Sequence, residues 1–307
     1  MNYAILKFHF STAVHFGDGV LNSSVTSFMA DTLFSSLFIE SLKMNMNMNQ
    51  QLLDYVNSGK LLFSDSFPFK GKEYFLPKPI MAVRNEDSEN QKMKKKVKKI
   101  KYLPCDKVDD FVNSKLDFEK YADVKFCRLD EDTKAAVRNA EKEEPLPYRV
   151  GVCTFMENCG LYVIAGYENP SIFEDVKTLF DSLQYTGIGG KRNSGLGRFT
   201  LEIDHNCNAI KQLIERKGNN YMAISVSYPQ DDELDNALDG ASYLLVKRSG
   251  FVLSDSFAKE QRRKEDRFVF AAGSCFSNKY EGTVFNVAAS DGLHPVYRYA
   301  KPMFIGV

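Results

Sequence analysis

GIGGKRNSGLGRFT, residues 187–200, lies between a helical pattern and a strand pattern, and that placement decides the fold. Upstream, Ser171-Ile172-Phe173-Glu174 reads as a capping box, and Ile172, Val176, Leu179, Phe180 and Leu183 recur at helical spacing. Downstream, Phe199-Thr200-Leu201-Glu202-Ile203 alternates as a strand does. Five of the fourteen residues are glycine, which permits positive φ and close approach of another molecule. Consecutive N–H groups in such a loop can converge on an anion, and Lys191, Arg192 and Arg198 add positive charge. The expected anion is a phosphate; the bland alternative is a glycine-rich turn with solvated charges. A Walker loop is excluded, because counting back from Gly190-Lys191 gives Tyr185 where glycine is needed, and Arg192 replaces the magnesium-binding hydroxyl. The dinucleotide pattern fails as well, because Arg192 stands at its sixth position. Both of those loops also run from strand into helix, whereas this one leaves a helix and enters a strand.

Composition sets the class. The chain has 307 residues, enough for about two domains, with 40 basic and 40 acidic side chains and no net charge. Charge is instead unevenly spread: residues 92–101 (KMKKKVKKIK) are mostly lysine, a solvated face or mobile loop that can also meet phosphate, while 130–144 and 231–239 lean acidic. No apolar run reaches a membrane span, and MNYAILKFHFSTAVHF alternates as a first strand rather than reading as a signal peptide. The six cysteines show no CxxC spacing and the four histidines no ligand spacing, so reduced thiols in cytoplasm, with neither metal nor cofactor, are expected.

Along the chain, residues 3–10 are strand-like and Ser23 or Ser24 caps a helix through Phe28, Met29, Leu33 and Leu37. Residues 44–49 (MNMNMN) end a helix or form a loop, and a short helix over 51–57 stops at Gly59. Strands are expected over 61–64 and 73–76. Residues 84–148 form a charged insertion, and a hairpin of 149–156 with 161–167 follows. Without the insertion, this half reads β-α-β-β-α-β, the ferredoxin-like order, whose sheet face is often an RNA platform. The expected fold is α+β: two ferredoxin-like (RRM-like) domains with antiparallel sheets. The first covers 1–204, with the insertion at about 84–148 and the glycine-rich loop at 187–198. The second, more degenerate, covers 205–307.

The chain resembles a known family. Residues 13–17 (AVHFG), 30–35 (ADTLFS), 76–79 (LPKP), 98–104 (KKIKYLP), 160–162 (GLY), the loop 187–198, 247–252 (KRSGFV) and 294–302 (HPVYRYAKP) are its matching blocks. In order and number they are similar to the fourth-subunit family of the Csm complex, the type III-A CRISPR effector, within the repeat-associated mysterious proteins. The resemblance implies a subunit that caps the crRNA 5′ handle in antiviral defence. It implies a place between the large polymerase-like subunit and the first backbone subunit, without nuclease or cyclic-oligoadenylate activity of its own.

Candidate RNA-binding residues follow from both readings: His15, Gly187, Gly189, Gly190, Lys191, Arg192, Asn193, Ser194, Arg198, Lys247, Arg248, Tyr297 and Arg298. Arginine binds phosphate bidentately, Asn193 and Ser194 add neutral donors, and Tyr297 beside Arg298 could stack an unpaired base or pack in a core. His15 stands for RNA contact, an interior hydrogen bond, or acid–base catalysis. Related proteins of the superfamily use a histidine to cleave precursor crRNA without metal. No sequence neighbour orients it, so no catalytic residue is assigned. Asp31 has no second carboxylate at useful spacing for a two-metal site and reads as a local hydrogen-bonding residue. The rivals to a non-catalytic scaffold are a metal-independent crRNA-processing endoribonuclease using His15 and a pure protein adaptor.

Overall fold

The computed structural model describes residues 1–44, 47–81, 97–136, 146–206, 208–254 and 256–307. The MNMNMN stretch at 45–46, the lysine run at 92–96, and much of the expected insertion (84–96 and 137–145) fall outside the described residues. The first half runs β1 (Asn2–Phe10), α1 (Ala30–Met44), α2 (Met48–Asn57), β2 (Leu61–Phe63), β3 (Phe67–Lys70), β4 (Glu73–Pro77) and β5 (Tyr102–Pro104). It continues with the short helices α3 (Val108–Val112) and α4 (Phe118–Tyr121), then β6 (Cys127–Ala136), β7 (Leu146–Phe155), β8 (Cys159–Tyr167), α5 (Pro170–Thr186) and β9 (Phe199–Asp204). The main sheet is antiparallel in the order β5-β4-β3-β8-β1-β9, and β2 lies beside β3 along one edge of β8.

The sequence of β8, CGLYVIAGY, explains its place. It is buried along its whole length, as expected of a strand covered on both faces. Leu161, Val163 and Ala165 join Leu6 and Phe8 of β1 in a core with α1 and α5, including Leu33, Val176 and Phe180. Tyr162 and Ile164 point the other way with Ile5, and there they meet the second half: Ile210, Met222, Ile224, Met303 and Ile305. The sheet face expected to be an open RNA platform is therefore sealed by the chain's own second half. Helix α5 starts two residues earlier than the capping-box reading places it: Asn169, not Ser171, is the cap and accepts from the Ile172 amide at 3.2 Å, with Pro170 in the first turn.

The expected hairpin of 149–156 with 161–167 is also corrected. β7 pairs along its length with β6 in a two-stranded ribbon, and β8 pairs instead with β1, β2 and β3. Both edges of β8 are filled by these partners, so β7 has no place in the main sheet. The expected first helix starts at Ala30, after Ser24, whose hydroxyl instead accepts from the Phe16 amide at 3.0 Å.

The second half runs α6 (Asn208–Glu215), β10 (Tyr221–Ala223), α7 (Leu234–Leu238), β11 (Leu245–Arg248), β12 (Arg267–Phe270), β13 (Cys275–Phe276), β14 (Thr283–Asn286), β15 (Tyr297–Ala300) and β16 (Phe304–Gly306). Its described strands form three separate antiparallel groups, β13-β10-β16, β11-β12 and β14-β15. No helix among the described residues is long and apolar enough to cross a membrane.

Asp65, between β2 and β3, joins three parts. Its Oδ1 accepts from the Ala30 amide at the start of α1 (2.8 Å) and from the Val226 amide (2.9 Å), while its own amide donates to Ile224 O (2.9 Å). Burial pushes this carboxyl up to about 7 despite the two amide bonds, and the charge of Asp31 adds to the effect. The folded chain thus holds the proton more tightly than the unfolded chain. The contribution is greatest below the ordinary carboxylate pKa and is lost as pH rises toward 7. Asparagine reproduces the protonated form. Asp65→Asn is expected to melt well above the parent protein at pH 8, with a smaller difference at pH 5, by thermal unfolding. A variant that melts lower at both pH values would contradict this reading.

A candidate nucleic-acid interface at the glycine-rich loop

The loop is built by tying its backbone inward. The Gly187 amide donates to Leu183 O, Ile188 to Gly197 O, Gly190 to His15 O, Gly195 to Arg192 O, and Gly197 to Ala13 O, all within 3.0 Å. The Arg198 amide donates to Thr12 Oγ1 at 3.1 Å. These donors are spent on the fold, which corrects the expectation of an amide cradle at these positions. What the loop offers outward is side chains. Asn193, Ser194 and Arg198 are exposed, and Lys191 and Arg192 are half-buried. Lys191 is left-handed (φ 56°) at the start of a single 3₁₀ turn, Arg192–Ser194. Its Nζ sits 4.8 Å from the Tyr148 ring centroid of β7, and Arg192 Nη1 donates to Gly187 O at 3.4 Å.

His15 is buried beneath this turn. Its Nδ1 lies 2.7 Å from Gly151 O. A carbonyl can only accept, so Nδ1 carries the hydrogen and Nε2 is the acceptor of the neutral ring. The tautomer is thus fixed by a residue 136 positions away. His15 also explains two glycines, Gly190 through its ring and Gly189 through its backbone carbonyl. A Cβ on Gly190 would stand 2.6 Å from His15 Cδ2, and one on Gly189 would stand 2.7 Å from His15 O at a φ of +99°. These glycines are needed for internal packing.

Arg248 and Arg298, expected at RNA, are turned into the protein, and the reason is Asp31. Arg248 donates to Asp31 through Nε (2.9 Å) and Nη2 (2.8 Å), and Nη2 also donates to Thr32 Oγ1 (3.0 Å). Arg298 Nη1 donates to Asp31 Oδ2 at 2.9 Å and Nη2 to Ser249 O at 3.2 Å, while its Nε is buried without a partner. Burial pushes the Asp31 carboxyl up, but Arg248 and Arg298 outweigh it and hold the group below its ordinary range. Lys264 completes the cluster; burial, with repulsion from Arg298, lowers it to about 8. Asp31 is therefore not a local hydrogen-bonding residue but a clasp between helix α1 and the second half. Lys247 remains exposed in an ion pair with Asp266 at 2.7 Å, and Tyr297 is half-buried with its ring edge-on to Phe38 at 5.6 Å. The structure thus brings His15 and the loop residues together, and leaves Lys247, Arg248, Tyr297 and Arg298 at a second place.

Comparison with known proteins bears on what such a loop belongs to. The "CRISPR system Cms protein Csm4" of Mycobacterium tuberculosis (strain CDC 1551 / Oshkosh) is 37% identical over 310 residues, spanning 100% of this chain and 98% of the relative. The chain belongs to the Csm4 family. The Csm4 protein of Streptococcus thermophilus is 36% identical over 315 residues, spanning 99% of this chain and 98% of that one. A model of the "CRISPR Csm4 C-terminal domain" matches residues 216–307. In fold, the chain is similar to a structure described as "Csm3-Csm4 subcomplex in the type III-A CRISPR-Cas interference complex", with a TM-score of 0.68, 17% identity, and coverage of 100% of this chain and 99% of that one. It is also similar to a "Csm1-Csm4 cassette in complex with cA4", with a TM-score of 0.64, 16% identity, and coverage of 99% and 97%.

Two substitutions in this Csm4-family chain test the geometry. Gly190→Ala should lower thermal stability in the parent chain and cost much less in a His15→Ala background, where the colliding ring is gone. Equal costs in the two backgrounds would contradict the packing. Asp31→Ala strands one buried guanidinium, that of Arg298, and one partly buried, that of Arg248, and breaking a buried pair costs about 3–5 kcal/mol. A urea titration that shows a loss below about 1 kcal/mol, the usual ceiling for an exposed ion pair, would remove the clasp.

Proposed function

We propose that the chain is a non-catalytic RNA-binding subunit of a type III-A CRISPR effector. It caps the crRNA 5′ handle and links the large polymerase-like subunit to the backbone subunits. The observation that carries the reading is the loop at 187–198: its amides brace the fold while Lys191, Arg192, Asn193 and Ser194 gather at one turn, with Arg198 exposed just beyond it. Cationic and neutral donors of this kind suit phosphate and sugar. Relatives crystallised as Csm3-Csm4 and Csm1-Csm4 assemblies support the two protein partners.

The first half, 1–204, is a ferredoxin-like unit in this reading. If β2 and β3 count as one interrupted strand, the sheet order is fourth, first, third, second. The segment at about 84–148 is then an insertion between the second and third core strands, and 205–307 is a degenerate second unit. With the sheet face covered, RNA is held at the loop and along the neighbouring ribbon rather than across the strands.

His15 serves binding in this reading. Its Nδ1 hydrogen is committed to Gly151, and the ring is buried under the loop. A working general acid or base contributes about 10²- to 10⁴-fold, which sets the scale of the test.

Lys191→Ala with Arg192→Ala should weaken binding of handle RNA at least about tenfold, or ~1.4 kcal/mol. The double variant should also flatten the salt dependence by about 1.4 log units, two phosphate contacts at ~0.7 each on a single strand. Filter binding across a salt series reads both, and an unchanged affinity and slope would refute the loop assignment. Incubated with repeat RNA in EDTA, the protein should leave the RNA intact. Cleavage that His15→Ala abolishes would make the chain a metal-independent endoribonuclease.

A further inference from the structure

The described part of the charged segment lines a cavity away from the glycine-rich loop. This cavity, of about 190 Å³, opens at the root of the β6–β7 ribbon. Its walls include Tyr102, Tyr121, Phe126 and Phe155, and its mouth carries Lys99, Lys101 and Lys125. The lining contains no carboxylate, all three lysines are exposed, and none of them forms an ion pair with a described residue. The aromatic walls are fixed from behind: Phe126 packs edge-on to Phe75 at 4.8 Å and to Tyr102 at 6.2 Å, and Phe155 stacks on Phe10 at 5.0 Å.

We infer that this cavity takes one unpaired nucleobase of a single-stranded RNA, with the adjoining phosphates on Lys99, Lys101 and Lys125. The inference rests on the chain's being an RNA-binding subunit. The size argues for a lone base, because the cavity is smaller than the ~300–1,000 Å³ that encloses drug-sized ligands. The chemistry argues for it too, because aromatic faces stack any base while surrounding lysines hold the backbone. The cavity and the glycine-rich loop also share a neighbour in the ribbon. Tyr148 beneath Lys191 and Phe155 in the cavity belong to the same strand, β7. They are seven residues apart, or about 23 Å at ~3.3 Å per residue. Seven is an odd separation, so the two side chains stand on opposite faces of the ribbon, Tyr148 with Val150 and Val152 and Phe155 with Cys153; a single strand reaches both by passing around the ribbon's edge.

Cys127 lines the cavity and supplies a local reporter. A hydrogen bond with Cys153 and the nearby Lys101 hold its thiol below the ordinary range. Burial pushes Cys105 and Cys275 up to about 12, and Cys153 and Cys159 are also raised. At neutral pH, iodoacetamide should therefore modify Cys127 fastest among these five.

The test uses the full chain with a ten-nucleotide single-stranded oligoribonucleotide. Three variants are compared: Lys99→Ala/Lys101→Ala/Lys125→Ala, Tyr121→Leu, and Lys191→Ala/Arg192→Ala. The triple lysine variant should bind at least tenfold more weakly, with a salt slope reduced by about two log units, at ~0.7 per contact. Tyr121→Leu should weaken binding without changing the slope, and RNA should protect Cys127 of the parent protein from iodoacetamide. If the triple variant keeps its affinity and slope, and RNA leaves Cys127 unprotected while Lys191→Ala/Arg192→Ala still weakens binding, the cavity site is refuted and the loop reading stands. If only the cavity variants weaken binding, the cavity stands and the loop reading falls. A parent protein that binds no RNA sinks both. Protection of Cys127 by poly-glutamate but not by RNA would overturn the inference in favour of an acidic peptide.

Discussion

One carboxylate holds the two halves in place. Asp31 stands in the first turn of α1 and accepts from Arg248 and Arg298, both far along the chain. Removing such a charge from water is costly, and the cost is offset only when partners fill its lone pairs. Here they do, with Thr32 and Ser249 taking further donors from the same guanidinium groups. Asp65, which bonds to the Ala30 and Val226 amides, fixes the same junction from the sheet side. These contacts hold the second half over the face of β1 and β8 that carries Ile5, Tyr162 and Ile164.

That covering decides which surface is left for a ligand. In an isolated ferredoxin-like unit the free sheet face is the obvious platform. In this chain the apolar side chains of that face form a core instead, and polar donors are left to the loop and to the ribbon beside it. Arg248 and Arg298 are spent on the clasp, whereas Lys191 and Arg192 of the loop and Lys99, Lys101 and Lys125 at the ribbon's root are not drawn into it.

Much of the first half was legible in the residues. The alternation of β1, the helical spacing of α5 and the glycine-rich turn into β9 are local signals, and each stands close to where it was expected. The misread elements depended on distant partners. β6, CRLDEDTKAA, carries charge where a strand pattern would carry apolar residues, so its pairing with β7 left no trace. Without it, β7 and β8 look like neighbours because they adjoin in sequence. The roles of Asp31 and His15 were hidden for a similar reason. Arg248 is 217 positions from Asp31 and Gly151 is 136 from His15, separations that no motif spans. The aromatic cavity draws on Tyr102, Tyr121, Phe126 and Phe155, whose spacing has no period.

The sealed sheet face also bears on synthesis of the chain. Ile5 and Tyr162 leave the ribosome long before Met303 and Ile305, which lie against them in one core. Tyr299, which bonds both the amide and the carbonyl of Phe63, is equally late. Until those residues emerge, the nascent first half carries a bare apolar surface about one sheet wide. A ribosome that stalls before them leaves a sticky product, a substrate for chaperones and quality-control proteases rather than a spare RNA-binding module.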